Sequence, residues 1–397
     1  MSSYRKKRVT AGSEPYYKVE LHDETSGLKA FVVVHSLVNG ISAGGLRMHS
    51  HVTMSEIERL AETMSYKFAV MGVPIGGGKS GIMADPTHRN KKEMVQAFAK
   101  MIRPFLRSFY LTGEDMGINA EDVALLYQTS EVNPIAVLKE RMAGLGEELN
   151  VPDDLDITNT EGDLEELLTG RGLTECVSEA CRFMNLPLKG ATVSIQGFGT
   201  VGGSTGLFLS ELGMDIVAIT DIEGTIYHPA GLPVEKIYAA RDINGKIDRE
   251  KLDFKYSKLP RSRWLRVAAD ILIPAAGKDV INVGNADKIT AKLIVEGANI
   301  PTKAEALTIL HERGIVVIPD FVANAGASCG FGCLMTGQVD YKADEIYAEM
   351  SRRIRRATWR LLEVSRDEGC TPRAAAIRMA EEQLEKWAEQ RKLSDIH

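Results

Sequence analysis

Apolar residues recur along this chain with two distinct periods, and the switches between them mark out its elements. The stretch LKAFVVVHSLV, Leu28 to Val38, is β-branched and bounded by Gly27 and the pair Asn39-Gly40, which predicts a strand ending in a turn. In TMSEIERLAETMSYKFAVMGV, Ile57, Leu60, Ala61 and Met64 follow at helical spacing, with Thr53 and Glu56 set as a capping box. A second amphipathic helix is predicted over NKKEMVQAFAKMIRPF. SFYLTGEDMGI then reads as a strand delivering Glu114 and Asp115 into a loop before a helix at NAEDVALLYQ. From Lys139 to Asp163 the residues are polar and acidic without sustained period, which predicts a linker or lid.

Beyond Lys189 the rhythm becomes strand, helix, strand, and short apolar strands recur at ADILIPA, KLIVEGA and GIVVIPD. Turn or helix signals separate them, as in a parallel sheet with helices on both faces. The expected fold class is therefore α/β. Residues 1–150 form an amino-terminal substrate domain with a mixed sheet, and residues 170–337 a Rossmann-type dinucleotide-binding domain. Residues 340–397 form a helical tail packing back on the first domain.

Bulk properties narrow the function. With 397 residues and 44% apolar content the chain can bury ordinary cores. Its 48 basic residues against 54 acidic ones, a net charge of −6, argue against nucleic acid or an anionic membrane as partner. The 5 cysteines show no CxxC pair, so neither a disulfide framework nor a zinc ribbon is indicated, and His49 and His51 lack ligand spacing. No metal is expected. The basic start MSSYRKKRVT leads into no apolar h-region and AFVVV is too short to span a bilayer, so a cytoplasmic setting is expected.

In SIQGFGTVGGS, Gly197, Gly199 and Gly202 form GxGxxG directly after a predicted strand, with Thr200 and Val201 opening a helix. The glycines permit a tight turn and close backbone approach, and the helix amino terminus favours a pyrophosphate. Asp221 ends the next strand roughly 20 residues later, where a carboxylate accepts the ribose 2′-hydroxyl of NAD. Asp221 and Glu223 would repel a 2′-phosphate and no arginine follows at once, so NAD is expected, with NADP possible.

PIGGGKSG, Pro74 to Gly81, suggests a phosphate loop, but the register is wrong: the first glycine should stand where Val73 is, and the run follows a helix. The alternative is that the glycines let a substrate lie against the backbone while Lys79 is partly desolvated. Burial and a second cation, a part Lys67 can fill, would lower the pKa of that lysine.

MSYKFAVMGVPIGGGKSGI, TGEDMGI, TGRG, QGFGTVG, VEGANIPT and IPDFVANAGA together resemble the glutamate/leucine/phenylalanine/valine dehydrogenase family, in order from about Gly27 to Gly337. The resemblance implies reversible oxidative deamination of an L-amino acid to a 2-oxo acid and ammonia, with hydride transfer to NAD(P), by a homo-oligomer, usually a hexamer or octamer. It implies a cleft between the domains that closes to exclude water. By matching motifs Lys67 binds the α-carboxylate, Lys79 activates water and steadies the carbinolamine oxygen, and Asp115 shuttles protons at the amino group. Thr169, Asn299 and Asn324 match positions that contact the nicotinamide and its ribose. Taken alone, Asp115 before Gly117 reads more readily as a helix cap than as a functional residue. A non-catalytic sensor of dinucleotide and amino acid is the competing class, and intact Lys67, Lys79 and Asp115 oppose it.

Glutamate-specific members of the family carry a lysine just before Gly-Gly-x-Arg; here, in SAGGLRM, with Gly45 inside the motif, that position is Ala43. A buried side-chain carboxylate without a cation is costly, so a neutral apolar side chain is expected, held by Ala43, Met64 and Phe331. Glutamate with a different carboxylate anchor is the alternative.

Overall fold

The glycine run that raises the phosphate-loop question is itself a strand, and the reason is room. The computed structural model describes residues 15–152, 164–242 and 245–394. Along the chain it begins with β1 (Tyr17–Asp23), β2 (Leu28–Val34), β3 (Ser42–Met48), α1 (Met54–Val70) and β4 (Gly76–Ile82). It continues with α2 (Lys91–Ser108), β5 (Tyr110–Gly113), α3 (Ala120–Ser130) and α4 (Pro134–Ala143). Every residue of β4 is buried. A Cβ on Gly77 would stand 2.1 Å from the Ser65 amide nitrogen on α1, and one on Gly78 would stand 2.7 Å from the Tyr110 ring. Side chains are excluded because a helix presses on one face of the strand and an aromatic ring on the other.

These strands form one mixed sheet in the order β1-β2-β4-β3-β5, antiparallel across β1/β2 and β2/β4 and parallel across β3/β4 and β3/β5. Helix α1 covers the face carrying Gly77, Lys79 and Gly81, since a Cβ on Gly81 would meet Ile57 at 2.6 Å. On the other face Val95, Phe98 and Ile102 of α2 pack with Val32, Leu46, Met48 and Ile82. At the turn after β2, Asn39 and Gly40 both take positive φ, 53° and 73°, as a two-residue hairpin turn demands. Of the predicted linker, 139–143 closes α4, and 153–163 lies outside the described residues, as does the basic start 1–14.

The second sheet is built from β6 (Thr192–Gln196), β7 (Asp215–Thr220), β8 (Thr225–Tyr227), β9 (Ser257–Leu259), β10 (Ile271–Pro274), β11 (Leu293–Val295) and β12 (Val316–Ile318). Its order is β12-β11-β10-β6-β7-β8-β9. The first five of that order run parallel, and β8 and β9 are an antiparallel edge that hydrophobic period did not announce. The edge arises at Asp221, whose Oδ1 accepts the Glu223 and Gly224 amides at 2.9 and 3.2 Å and folds the chain straight back. Accompanying helices are α5 (Leu164–Phe183), α6 (Thr200–Glu211), α7 (Val234–Ala239), α8 (Ala304–Glu312), α9 (Asp320–Ala323), α10 (Gly326–Met335), α11 (Ala343–Glu368) and α12 (Pro372–Ser394).

The chain divides into two compact units: Met1–Gly162 with Phe331–Ile346 and Ile377–His397, and Asp163–Gly330 with Tyr347–Ala376. The end of the helical tail thus groups with the first unit. Among the described residues no helix is long and apolar enough to cross a membrane.

Candidate active site and dinucleotide loop

Alternation along β3 sets the first unit's site. Leu46 and Met48 turn to the α2 core, which leaves Ala43, Gly45 and Arg47 to the α1 face of the sheet. Lys79 shares that face from β4. The chain after β5 brings Asp115 against it so closely that a Cβ on Gly45 would lie 2.9 Å from the Asp115 Cβ. The Lys79 ammonium meets Asp115 Oδ2 at 2.9 Å, with side chains only 7% and 16% exposed.

A third charge completes the group. Arg47 donates Nε to Asp115 Oδ2 at 2.8 Å and Nη1 to Glu56 Oε1 at 2.9 Å. Glu56 in turn meets His49 at 3.2 Å, so His49 belongs to the rim of this network. Thr53 does cap α1 by accepting from the Glu56 amide at 3.2 Å. The helix-cap reading of Asp115 falls away: α3 is capped by Asn119, in a full capping box with Asp122.

Burial lowers the Lys79 pKa, Asp115 opposes that, and Arg47 adds to it. The second cation acting on Lys79 is thus Arg47, in the part the sequence reading allotted to Lys67. Burial alone would raise the Asp115 pKa, but Lys79 and Arg47 outweigh it and hold the carboxylate far below its usual range. Arg47 is the residue that sequence reasoning missed. Its signal was present as an arginine between two core positions of a buried strand, where an isolated charge does not survive.

The remaining expected substrate residues are spread over neighbouring elements. Met64 and Lys67 lie on α1, Lys67 only 7% exposed in its last turn. Ala43 is buried on β3, and half-buried Phe331 lies in α10.

In the second unit Gly197, with φ 89°, leaves β6, and α6 opens at Thr200 and Val201. A Cβ on Gly202 would stand 2.0 Å from the Gly197 carbonyl oxygen, so helix and turn are in contact there, while one on Gly199 would meet nothing within 4 Å. No side chain caps α6, although Gly245 lies close to the Gly199 amide, where a Cβ would stand 2.4 Å from its nitrogen; a helix amino terminus of this kind favours an anion. Strand order reverses between β6 and β10, the crevice where open α/β sheets take nucleotides. Thr169 lies on α5, its Cα 2.9 Å from where a Cβ on Gly326 would stand. Asn324 donates to the Gly297 carbonyl at 3.2 Å and to Asn299 at 3.0 Å, and its buried Oδ1 has no partner among the described residues. An orphaned buried acceptor next to Gly297 and Asn299 suits a bound dinucleotide.

A chain that carries both a Rossmann-type unit and an α/β unit with a buried lysine–aspartate pair is of the class of dinucleotide-dependent amino acid dehydrogenases. Residues 163–392 match the family model described as Glutamate/Leucine/Phenylalanine/Valine dehydrogenase, and residues 15–132 match that of its dimerisation domain. This chain belongs to that family, whose members use NAD or NADP. It is 35% identical over 327 residues to a glutamate dehydrogenase of Thermotoga maritima, covering 81% of this chain and 75% of the relative. It is 35% identical over 325 residues to an NADP-specific glutamate dehydrogenase of Saccharolobus shibatae, covering 79% and 73%. The hetero-hexameric glutamate dehydrogenase of Thermus thermophilus shares its fold, with a TM-score of 0.77 at 24% identity over 95% of this chain and 90% of that one.

Proposed function

We propose that this enzyme carries out the reversible, NAD(P)-dependent oxidative deamination of L-glutamate to its 2-oxo acid and ammonia. The observation that carries the reaction is the buried Lys79–Asp115 pair beside Arg47. The substrate assignment follows the relatives, which are named as glutamate dehydrogenases. It departs from the neutral side chain expected at Ala43 and requires the side-chain carboxylate to be anchored elsewhere. A neutral apolar substrate is the second reading, favoured by that buried alanine.

Lys67 binds the α-carboxylate. A lysine whose pKa is lowered by burial gives up its proton more readily than a free amine; it then accepts one from water attacking the imine carbon, and its N–H groups steady the carbinolamine oxygen. Asp115 orients the α-amino group. While Lys79 is charged Asp115 is a poor base; once Lys79 is neutral one of the two cations restraining it is gone, and the carboxylate takes a proton from nitrogen more readily. The amides of Gly199, Thr200 and Val201, with Gly197 and Gly202 shaping the turn, hold the pyrophosphate, while Thr169, Asn299 and Asn324 serve the nicotinamide side. The dinucleotide, when bound, takes the hydride. A homo-oligomer in the cytoplasm is the expected setting.

Purified protein mixed with a panel of L-amino acids and either dinucleotide tests this through the absorbance of the reduced cofactor. Turnover fastest on glutamate is expected, and Lys79→Ala should lose about 10²–10⁴-fold in kcat while still binding dinucleotide. Fastest turnover on leucine or phenylalanine selects the second reading. No turnover on any amino acid, or an undiminished Lys79→Ala, would defeat the proposal.

A further inference from the structure

The acidic residue placed to take the adenosine ribose is already fully engaged. Asp221 is 1% exposed at its side chain, and Arg249, from 28 residues along the chain, grips it with both ends of its fork, Nη1 at 2.5 Å and Nη2 at 2.6 Å. The Ile247 amide adds a third donor at 2.8 Å, and the Glu223 and Gly224 amides of the turn a fourth and fifth. Two carboxylate oxygens offer about four lone-pair sites. No acceptor remains for a ribose hydroxyl.

The second carboxylate expected to repel a phosphate is matched as well. Lys246, half-exposed, meets Glu223 at 2.9 Å. Both cations come from one short segment and, with Glu223, line a cavity of about 670 Å³. The two carboxylates that read as repelling a phosphate in the sequence are therefore each paired with a cation in the fold, while Asp242, Asp248 and Glu250 line the same cavity beside Arg241 and Lys251. A bare 2′-hydroxyl has lost its acceptor there, whereas a 2′-phosphate, itself an acceptor, finds the movable Lys246 ammonium.

We propose that Arg249 and Lys246 determine cofactor choice, and that the site takes a 2′-phosphorylated adenosine, so that NADP serves at least as well as NAD. This deepens the dehydrogenase reading and rests on it. Arg249 acts on the ribose end by occupying Asp221; Lys246 swings from Glu223 to the phosphate.

Direct titration with NADPH, NADH, 2′,5′-ADP and 5′-AMP, followed by fluorescence or calorimetry, tests the assignment without need of turnover. The intact protein should bind NADPH at least as tightly as NADH, and 2′,5′-ADP more tightly than 5′-AMP. Lys246→Ala, a surface change that leaves the core untouched, should weaken NADPH about tenfold and NADH less than about twofold, the signature of one lost charge–phosphate contact. Arg249→Met, checked for folding by circular dichroism, frees Asp221 and should reverse the preference toward NADH. NADH binding about tenfold tighter than NADPH, or equal weakening of both by Lys246→Ala, overturns this inference alone. Binding of neither dinucleotide overturns it together with the dehydrogenase reading.

Discussion

Glu296 shows how a single buried acid can tie stability to pH. It sits in the VEGANIPT motif, 1% exposed, its Oε2 accepting the Asp320 amide at 2.9 Å and lying 3.5 Å from Arg373, which reaches Asp320 at 2.8 Å. Asp320 also accepts the Ile300 amide at 2.8 Å and so holds that residue at φ 51°, a strained value for a β-branched side chain. Two acids thus share one arginine beneath the loop that carries Asn299. Burial first, and the Asp320 charge second, push the Glu296 pKa up to about 7 from its ordinary 4.5. A pKa raised by folding means that the folded state binds the proton more tightly, so this stabilisation is complete below pH 4.5 and lost as the pH rises through about 7. Glu296→Gln mimics the protonated form. It should unfold close to the parent at pH 5 and be more stable by about 1–3 kcal/mol at pH 8. Equal unfolding midpoints for the two proteins at both pH values would rule this out.

At the scale of elements, β4 determines whether the site exists. Its lysine is buried because the flanking glycines let α1 lie directly on the strand, and a strand poor in β-branched residues holds here only through tertiary contact. Gly77→Ala would drive a Cβ to 2.1 Å from the Ser65 amide nitrogen and 2.5 Å from the Ala61 carbonyl oxygen, both backbone atoms of α1. The helix must shift as a whole, so a loss of about 1–3 kcal/mol or more is expected, with turnover falling further than stability explains. Gly113→Ala on β5 is the control: a Cβ there meets nothing within 4 Å, and a change within about 0.5 kcal/mol is expected. Similar unfolding midpoints for the two alanine variants would remove the packing explanation. The run was legible from sequence as a substrate-facing, non-phosphate loop in the wrong register. That it is a strand was not, because its pattern carries no period of two.

At the scale of the whole molecule, the chain leaves its first unit at Gly162 and returns to it twice, finally at Ile377. Ala380 and Leu384 of α12, 0% and 5% exposed, are buried on that return. Deleting 377–397 should therefore uncover apolar surface on the first unit, seen as binding of a hydrophobic dye, while dinucleotide binding by the second survives. Full turnover without dye binding would contradict that division. What the sequence by itself determined is whatever local spacing encodes: the strongly periodic helices and strands, though not β4, β8 or β9, the β6–α6 glycine turn, the family, and Lys79 and Asp115 as a candidate pair. Only the tertiary structure decided which charges meet. Arg47 on Asp115, Arg249 on Asp221 and Arg373 between two acids join residues distant in sequence, and such pairs leave no periodic trace because strand register and helix packing, not neighbouring residues, bring them within hydrogen-bond distance.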